Sequence, residues 1–222
     1  MDDSVLNKIT VFLWQMFCVN ILLILSNAVL IGALLLIILH WITLPIYIIG
    51  LFLFLISLQT TVQTIKRLTQ NSQDTLTKTY ILTYKETLKN ESLQMIIYLI
   101  AAGILTSGFI ILQAIDLTQH FLQTTHILFS ILLFAHFIYS LLIRIHFIID
   151  KPSTWKLSVY CIFKYPLHSL AIFLGLVILL WLTREFPVLL ILGIIPLAGF
   201  GLLRLTNKTF DKLKDTLITN EG

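Results

Sequence analysis

The chain has 222 residues, of which 58% are hydrophobic and only 12% are charged, and its mean hydropathy is +0.95. Because a soluble domain carries charge on about a quarter of its residues, these values exclude an ordinary water-soluble globular domain. The net charge of +4 does not indicate nucleic-acid binding, because the basic residues stand beside apolar runs, where they anchor a protein in a bilayer.

The first apolar stretch, residues 5–39, is too long for a single membrane span. A helix of that length measures about 50 Å, whereas the hydrocarbon layer is roughly 30 Å thick. Its first part, residues 4–17, has an apolar stripe on one helical face, which predicts a helix lying at the membrane interface. The first span is therefore predicted over residues 18–39.

Five further apolar runs are long enough to cross a bilayer. They predict spans over residues 45–65, 93–115, 127–149, 167–183 and 187–205. Amphipathic segments with flanking lysines precede the third and fifth spans and predict interfacial helices over residues 75–90 and 153–165. The predicted fold is a single all-α membrane domain, residues 1–222, with six transmembrane helices.

The basic residues predict the orientation of these spans. Of the 15 Lys and Arg residues, all except Arg184 fall in the connections, or near the span ends, that six spans place on one side of the membrane. Since basic connections stay in the cytoplasm, both termini are predicted to be cytoplasmic. Each pair of spans follows one interfacial helix, which suggests three hairpin repeats. The alternative is that every membrane hairpin needs amphipathic, basic flanks.

Polar residues inside the predicted spans are the candidate site. His136, Ser140 and Arg144 follow one another at intervals of four residues, so they share a face of the fourth span. Such residues usually face a bundle interior or a water-filled cavity. The other members of this candidate polar pathway are the amide side chains of Asn20, Asn27, Gln59 and Gln63.

A structural interpretation of the same residues stays open. Arg144 is near the cytoplasmic end of its span and can extend towards lipid phosphates, with His136 as a neutral packing residue. The amides can serve as hydrogen-bonding groups between helices. A candidate partner surface lies on the cytoplasmic amphipathic segments, at Lys78, Lys85, Lys89, Trp155 and Lys156.

The sequence contains no motif for catalysis or for a cofactor. It has no HExxH, GxSxG or GxxxxGK[ST] pattern, so the chain is predicted not to be an enzyme. Cys18 and Cys161 stand apart in apolar contexts and are predicted to be packing residues. Asp116 and His120 are four residues apart, but nothing completes a coordination sphere, so no metal site is predicted.

Three segments resemble a known family. The first is Phe17-Cys18-Val19-Asn20-Ile21-Leu22-Leu23, with an Asn opening the first span. The second is the basic segment from Tyr84 to Leu93, and the third is the basic amphipathic segment from Trp155 to Pro166. In these segments the chain resembles the YesL-like family of bacterial six-span membrane proteins, whose function is unassigned. The resemblance implies a multi-pass protein of the bacterial plasma membrane.

The same resemblance implies a role in carbohydrate uptake, because members of that family lie beside genes for sugar import. The expected function is an accessory or regulatory subunit associated with an ABC-type importer, whose subunits would be its partners alongside the lipid bilayer. Two alternatives stay open. One is a subunit that binds or transports a small solute in its own right, and the other is a non-transporting scaffold or an immunity-type membrane protein.

Overall fold

A computed structural model describes residues 3–37, 40, 42–70, 75–114, 120–147, 149–186 and 188–219. The regular elements in these ranges are α-helices: α1 Asp3–Ser26, α2 Ala28–Leu36, α3 Leu44–Gln70, α4 Leu76–Ala114, α5 His120–His146, α6 Lys151–Lys164, α7 Pro166–Glu185, α8 Val188–Leu192 and α9 Ile194–Thr219. The chain divides into two compact units. Unit 1 comprises Met1–Ser92 with Val177–Gly222, and unit 2 comprises Leu93–Leu176.

Within the described residues, five helices are long and apolar enough to cross a membrane. The qualifying segments are Ile9–Ser26, Leu44–Gln70, Leu76–Leu112, Leu122–His146 and Pro166–Glu185. A shorter apolar helical segment, Ile194–Asn207, follows. By length and composition, the chain is therefore an all-α membrane protein, as the sequence predicts.

The helices place apolar side chains outward and polar side chains inward. Leu36 and Leu167, for example, are 86% and 79% exposed, whereas Ser57, Thr60 and Thr64 are completely buried. In water this arrangement would expose apolar surface and desolvate hydroxyl groups, and both cost free energy. In hydrocarbon, the apolar side chains meet a matching solvent, and the polar side chains are kept away from lipid inside the protein.

The N-terminal helix differs from the prediction. The sequence predicts a boundary at residues 17 and 18, but α1 runs without interruption from Asp3 to Ser26. No proline or glycine stands near that boundary to end the helix. The helix changes instead at Asn27, whose side-chain amide donates to the Leu23 carbonyl at 2.7 Å. A side chain that bonds to the backbone of the preceding turn is a recognised cause of a kink.

The segment predicted as an interfacial helix over residues 75–90 is continuous with the third predicted span. Both belong to α4, a single helix of 39 residues. The connecting residues, Asn90-Glu91-Ser92, include no helix breaker. By contrast, α6 is a separate helix. Asp150 caps its first turn by accepting from the Ser153 amide at 3.3 Å, and the helix ends before Pro166.

The last predicted span, residues 187–205, is interrupted at Gly193. This residue has φ +98°, a backbone conformation that glycine adopts at little cost, and it separates α8 from α9. Pro196 lies in the first turn of α9, where its missing N–H removes no helical hydrogen bond. The helix α9 then continues to Thr219, beyond the predicted end of the span.

Each unit has its own helix packing. In unit 1, α3 packs against α1, α2 and α9. A small apolar cluster of Val19, Leu68 and Tyr80 is buried near the end of α3. In unit 2, the principal packing is between α5 and α6.

Candidate functional site

The second half of α3 carries a group of buried polar side chains, called here the polar core of unit 1. Ser57, Gln59, Thr60, Thr61 and Thr64 are all buried, with at most 1% of each residue exposed. Of this group, the sequence analysis identified only Gln59. Gln63, the other predicted amide on this helix, lies among them and is partly exposed. A hydroxyl group in a membrane helix can donate to a carbonyl of its own preceding turn, as Ser57 and Thr60 do at 2.7 and 2.8 Å, or to a group on another helix.

Asn27 joins the kink after α1 to this polar core. Its amide nitrogen donates to the Leu23 carbonyl and to the Ser57 hydroxyl, each at 2.7 Å. Ser57 in turn donates to the Leu53 carbonyl at 2.7 Å, so its oxygen is free to accept from Asn27. Both amide hydrogens of Asn27 are therefore used. Its buried Oδ1 has no hydrogen-bond partner among the described residues.

Tyr80 brings the start of α4 to the same place. Its hydroxyl lies 3.0 Å from the Ser26 hydroxyl, and Ser26 donates to the Leu23 carbonyl at 2.9 Å. Since the Ser26 proton is used in that bond, Tyr80 is the donor to Ser26. Hydrogen bonds thus connect α4, the end of α1 and α3 around the Asn27 kink.

Two further polar contacts tie α3 to the start of α4. Thr87 donates to the Gln63 amide oxygen at 3.1 Å, and Arg67 donates to the Thr83 hydroxyl at 3.0 Å. Arg67 also forms an ion pair with Glu86 at 2.6 Å. Both side chains of that pair are about half exposed, so it contributes at most about 1 kcal/mol. The contacts around Arg67 are therefore closer to water than those around Asn27.

Asn20 supports the break between α8 and α9. Its amide nitrogen donates to the Leu190 carbonyl at 2.7 Å. That carbonyl belongs to the last turn of α8, where the helix end leaves carbonyl groups without helical partners. The α1 backbone at Met16 also approaches Gly193, whose added Cβ would lie 3.5 Å from the Met16 oxygen. The predicted role of Asn20 as an interhelical hydrogen-bonding group fits this contact.

Like the Oδ1 of Asn27, two buried polar atoms on α3 have unused hydrogen-bonding capacity. Neither the Gln59 Nε2 nor the Thr64 Oγ1 has a hydrogen-bond partner among the described residues. A buried polar group without a partner costs about 1–3 kcal/mol. The interior of unit 1 thus contains amide and hydroxyl groups whose hydrogen-bonding capacity the described residues leave unused.

In unit 2, His136 bridges two helices. Its Nδ1 lies 2.7 Å from the Tyr98 hydroxyl on α4, and its Nε2 lies 3.3 Å from the Trp155 carbonyl on α6. A carbonyl only accepts, so Nε2 carries the proton. In the neutral ring Nδ1 then accepts, and Tyr98 donates to it. The rings of Tyr98, His136 and Trp155 pack together, with centroids 5.7–6.2 Å apart.

The other two residues of the predicted α5 stripe have different partners. Ser140 is buried and accepts a hydrogen bond from the Gln94 amide on α4. Arg144 donates to the Ile149 carbonyl at 2.5 Å, just beyond the end of α5. Arg144 therefore binds the connection to α6, whereas His136 and Ser140 bind α4.

The predicted pathway residues fall into both units. Asn20, Asn27, Gln59 and Gln63 belong to unit 1, and His136, Ser140 and Arg144 belong to unit 2. Each set makes hydrogen bonds within its own unit. A single pathway through all seven residues stays a prediction.

Sequence reasoning missed a polar stripe along α4. Six buried polar residues follow one another at intervals of three or four residues, which places them on one helical face. They are Tyr80, Thr83, Thr87, Glu91, Gln94 and Tyr98. Their spacing of three or four residues is visible in the sequence. It was overlooked because residues 75–90 and 93–115 were predicted to be two separate helices.

The predicted partner surface is partly exposed. Lys78, Lys85 and Lys89 on α4 and Lys156 on α6 are exposed. Trp155 differs from this expectation because it is only partly exposed, its carbonyl accepts from His136 and its ring packs against Tyr98. Trp155 is therefore part of the interior cluster of unit 2.

The two cysteines are free thiols, Cys18 partly exposed and Cys161 buried. Burial raises the pKa of the Cys161 thiol to about 11, so this thiol stays protonated at neutral pH. Among the described residues, no three His, Cys, Asp or Glu side chains stand together as metal ligands. Asp116 lies outside the described residues.

No family model, no curated protein and no solved structure matches the chain. The resemblance to the YesL-like family stays a prediction.

Proposed function

We propose that the chain is a multi-pass protein of the bacterial plasma membrane that binds or transports a small, uncharged, hydroxyl-bearing solute in its own right. The observation that carries this proposal is the polar core of unit 1, where Asn27, Gln59 and Thr64 have buried polar atoms without partners among the described residues. These groups are amides and a hydroxyl. An ionic ligand would need an opposite charge to offset its desolvation, whereas a neutral ligand needs only hydrogen bonds.

The proposal includes six spans with both termini in the cytoplasm. The sixth span would consist of α8 and the first part of α9, interrupted at Gly193. Support for the orientation comes from the basic residues, all of which except Arg184 would then lie on the cytoplasmic side. Gly193 lies about one third of the way along this span. Interrupted spans are a common feature of membrane transporters, in which such breaks accompany solute sites.

Replacement of Gln59 by leucine tests solute binding. Without ligand, Gln59→Leu is expected to leave the stability unchanged or to raise it, because it removes a buried donor that has no described partner. With ligand, the affinity is expected to fall about tenfold, the equivalent of one lost hydrogen bond of about 1.4 kcal/mol. Thermal unfolding of the full chain in nanodiscs, titrated with neutral sugars and polyols, measures both effects.

The matched control is Gln70→Leu, because Gln70 is an exposed residue at the end of the same helix. This variant is expected to respond to ligand like the unmodified chain. Sodium and phosphate salts serve as charged comparators and are expected to give no shift beyond that of ionic strength. Absence of stabilisation by every sugar and polyol, or an equal response of Gln59→Leu, would contradict the proposal.

A second candidate is the accessory subunit of a carbohydrate importer that the family resemblance implies. One observation favours it: four of the predicted partner-surface lysines are exposed, three of them on α4 and Lys156 on α6. Exposed cations can pair with acidic groups on a cytoplasmic partner. The third alternative, a scaffold or immunity-type protein, predicts neither a ligand response nor an importer partner.

Crosslinking in native membranes tests the accessory role. An amine-reactive crosslinker is expected to join the chain to ABC-type importer subunits, which mass spectrometry would identify. Lys78→Arg and Lys156→Arg keep the charge but remove the reactive amine, so crosslinks formed at these two positions are expected to disappear. Recovery of the chain by itself would count against this role.

A further inference from the structure

The helix α6 has its small and polar side chains on the buried face. Thr154, Ser158 and Cys161 are buried, and α6 packs against α5. Their spacing of four and three residues places them in one row, and small residues in such a row allow two helices to approach closely. Trp155 packs against Tyr98 and His136, whereas the exposed bulky apolar residues of α6 lie on the side opposite to this row.

The outer face of α6, defined as Lys156, Val159, Tyr160, Phe163 and Lys164, combines apolar and cationic groups. All five residues are exposed, and Phe163 is 72% exposed. Lys164 donates to the Tyr160 hydroxyl at 2.5 Å and lies 4.9 Å from the centre of the Tyr160 ring. The hydrogen bond with Tyr160 raises the pKa of Lys164, so this side chain is charged at neutral pH.

The size and charge of α6 fit a position along the membrane surface. At 14 residues the helix is about 21 Å long, whereas a span must cross roughly 30 Å of hydrocarbon. No acidic residue occurs within it. Asp150, just before the helix, is charged and accepts from the Ser153 amide, which fixes where α6 begins.

We propose that the outer face of α6 binds the headgroup region of anionic phospholipids. Val159 and Phe163 would enter the boundary between headgroups and acyl chains, with the ammonium groups of Lys156 and Lys164 on the lipid phosphates. A helix with apolar and basic residues side by side is the usual form of such a surface. Charge complementarity selects anionic over zwitterionic lipid, with a gain of roughly fivefold for each lysine at low salt. This inference is independent of solute binding by unit 1.

The full chain, purified in neutral detergent and mixed with equal amounts of phosphatidylglycerol and phosphatidylcholine, provides the test. Mass spectrometry of the retained lipid is expected to show enrichment of phosphatidylglycerol. The double variant Lys156→Gln with Lys164→Gln is expected to lower that enrichment at least fivefold, and the corresponding double arginine variant is expected to retain it. The control is Lys85→Gln with Lys89→Gln, two exposed lysines on α4, which should keep most of the enrichment.

Two results would overturn the inference. One is equal retention of both lipids by the unmodified chain, and the other is unchanged enrichment in the double glutamine variant. Added inorganic phosphate at millimolar concentration separates a lipid surface from a site for the free anion. Enrichment of phosphatidylglycerol that persists in the presence of phosphate supports binding of a lipid surface. Loss of the enrichment when phosphate is added counts against the inference.

Discussion

Replacement of Gly50 by alanine is expected to lower the free energy of unfolding by about 1–3 kcal/mol, the usual cost of overpacking a closely packed interior. Gly50 is buried where α3 meets α2. An added Cβ would lie 2.9 Å from the Leu30 Cδ1 and 3.1 Å from the Leu30 Cα. The side-chain tip can rotate away, but the Cα belongs to the α2 backbone and moves only with its helix. Gly50→Val should therefore cost more than Gly50→Ala.

The control for this prediction is Gly32→Ala on α2. A Cβ at Gly32 meets nothing within 4 Å, so the same added methyl group has open space around it. Reversible unfolding of the full chain in mixed micelles measures both variants. Gly32→Ala is expected to be neutral or stabilising, because alanine favours a helix over glycine. Equal stability of the two variants would show that α2 and α3 are not in close contact.

Gly193→Ala is expected to destabilise the protein by roughly 1–2 kcal/mol, because φ +98° is strained for a residue with a Cβ. Steric contact is not the cause. The nearest atom to the added Cβ would be the Met16 oxygen at 3.5 Å, an ordinary van der Waals distance. The effect therefore comes from the backbone at the break between α8 and α9.

The same substitution at Gly201 is expected to raise the free energy of unfolding instead of lowering it. Gly201 lies inside α9 with nothing within 4 Å of an added Cβ, so alanine should stabilise the helix by roughly 0.5–1 kcal/mol. Gly193→Asn should fall between glycine and alanine, since asparagine tolerates positive φ better than alanine. The unfolding measurement is the same as for Gly50. Stabilisation by Gly193→Ala would mean that α8 and α9 form one straight helix.

The helical class and most of the apolar segments could be predicted, because both depend on local composition. The boundaries could not be predicted in the same way. At residues 17 and 18 the length and amphipathicity of the first stretch suggest a change of environment, and at residues 90–92 charge and polarity do so. A helix continues through a change of environment unless its backbone is interrupted. The break at Gly193 depends on a backbone angle that composition does not encode.

The candidate site was only partly predictable for a related reason. Asn27, Gln59 and His136 stand out because they are polar residues in apolar surroundings. Thr64 and Tyr98 do not stand out, since threonine and tyrosine are frequent in membrane helices on any face. Their importance depends on burial and on neighbours from other helices, such as the hydroxyl of Tyr98 at His136. Only the packing of the helices supplies that information.

The helix α6 buries small and polar residues and exposes apolar ones. This arrangement determines which of its positions can vary during evolution. Thr154, Ser158 and Cys161 are buried where α6 packs against α5, and a larger side chain there would overpack the contact. Exchange among alanine, glycine, serine and cysteine should be tolerated, and leucine or phenylalanine should be eliminated by selection. Val159 and Phe163 are exposed, and on the proposed lipid surface any large apolar side chain would serve at these two positions, so they should vary freely. Apart from Trp155, the slowly changing positions of this helix should therefore be its least hydrophobic ones, the reverse of the pattern in a soluble protein.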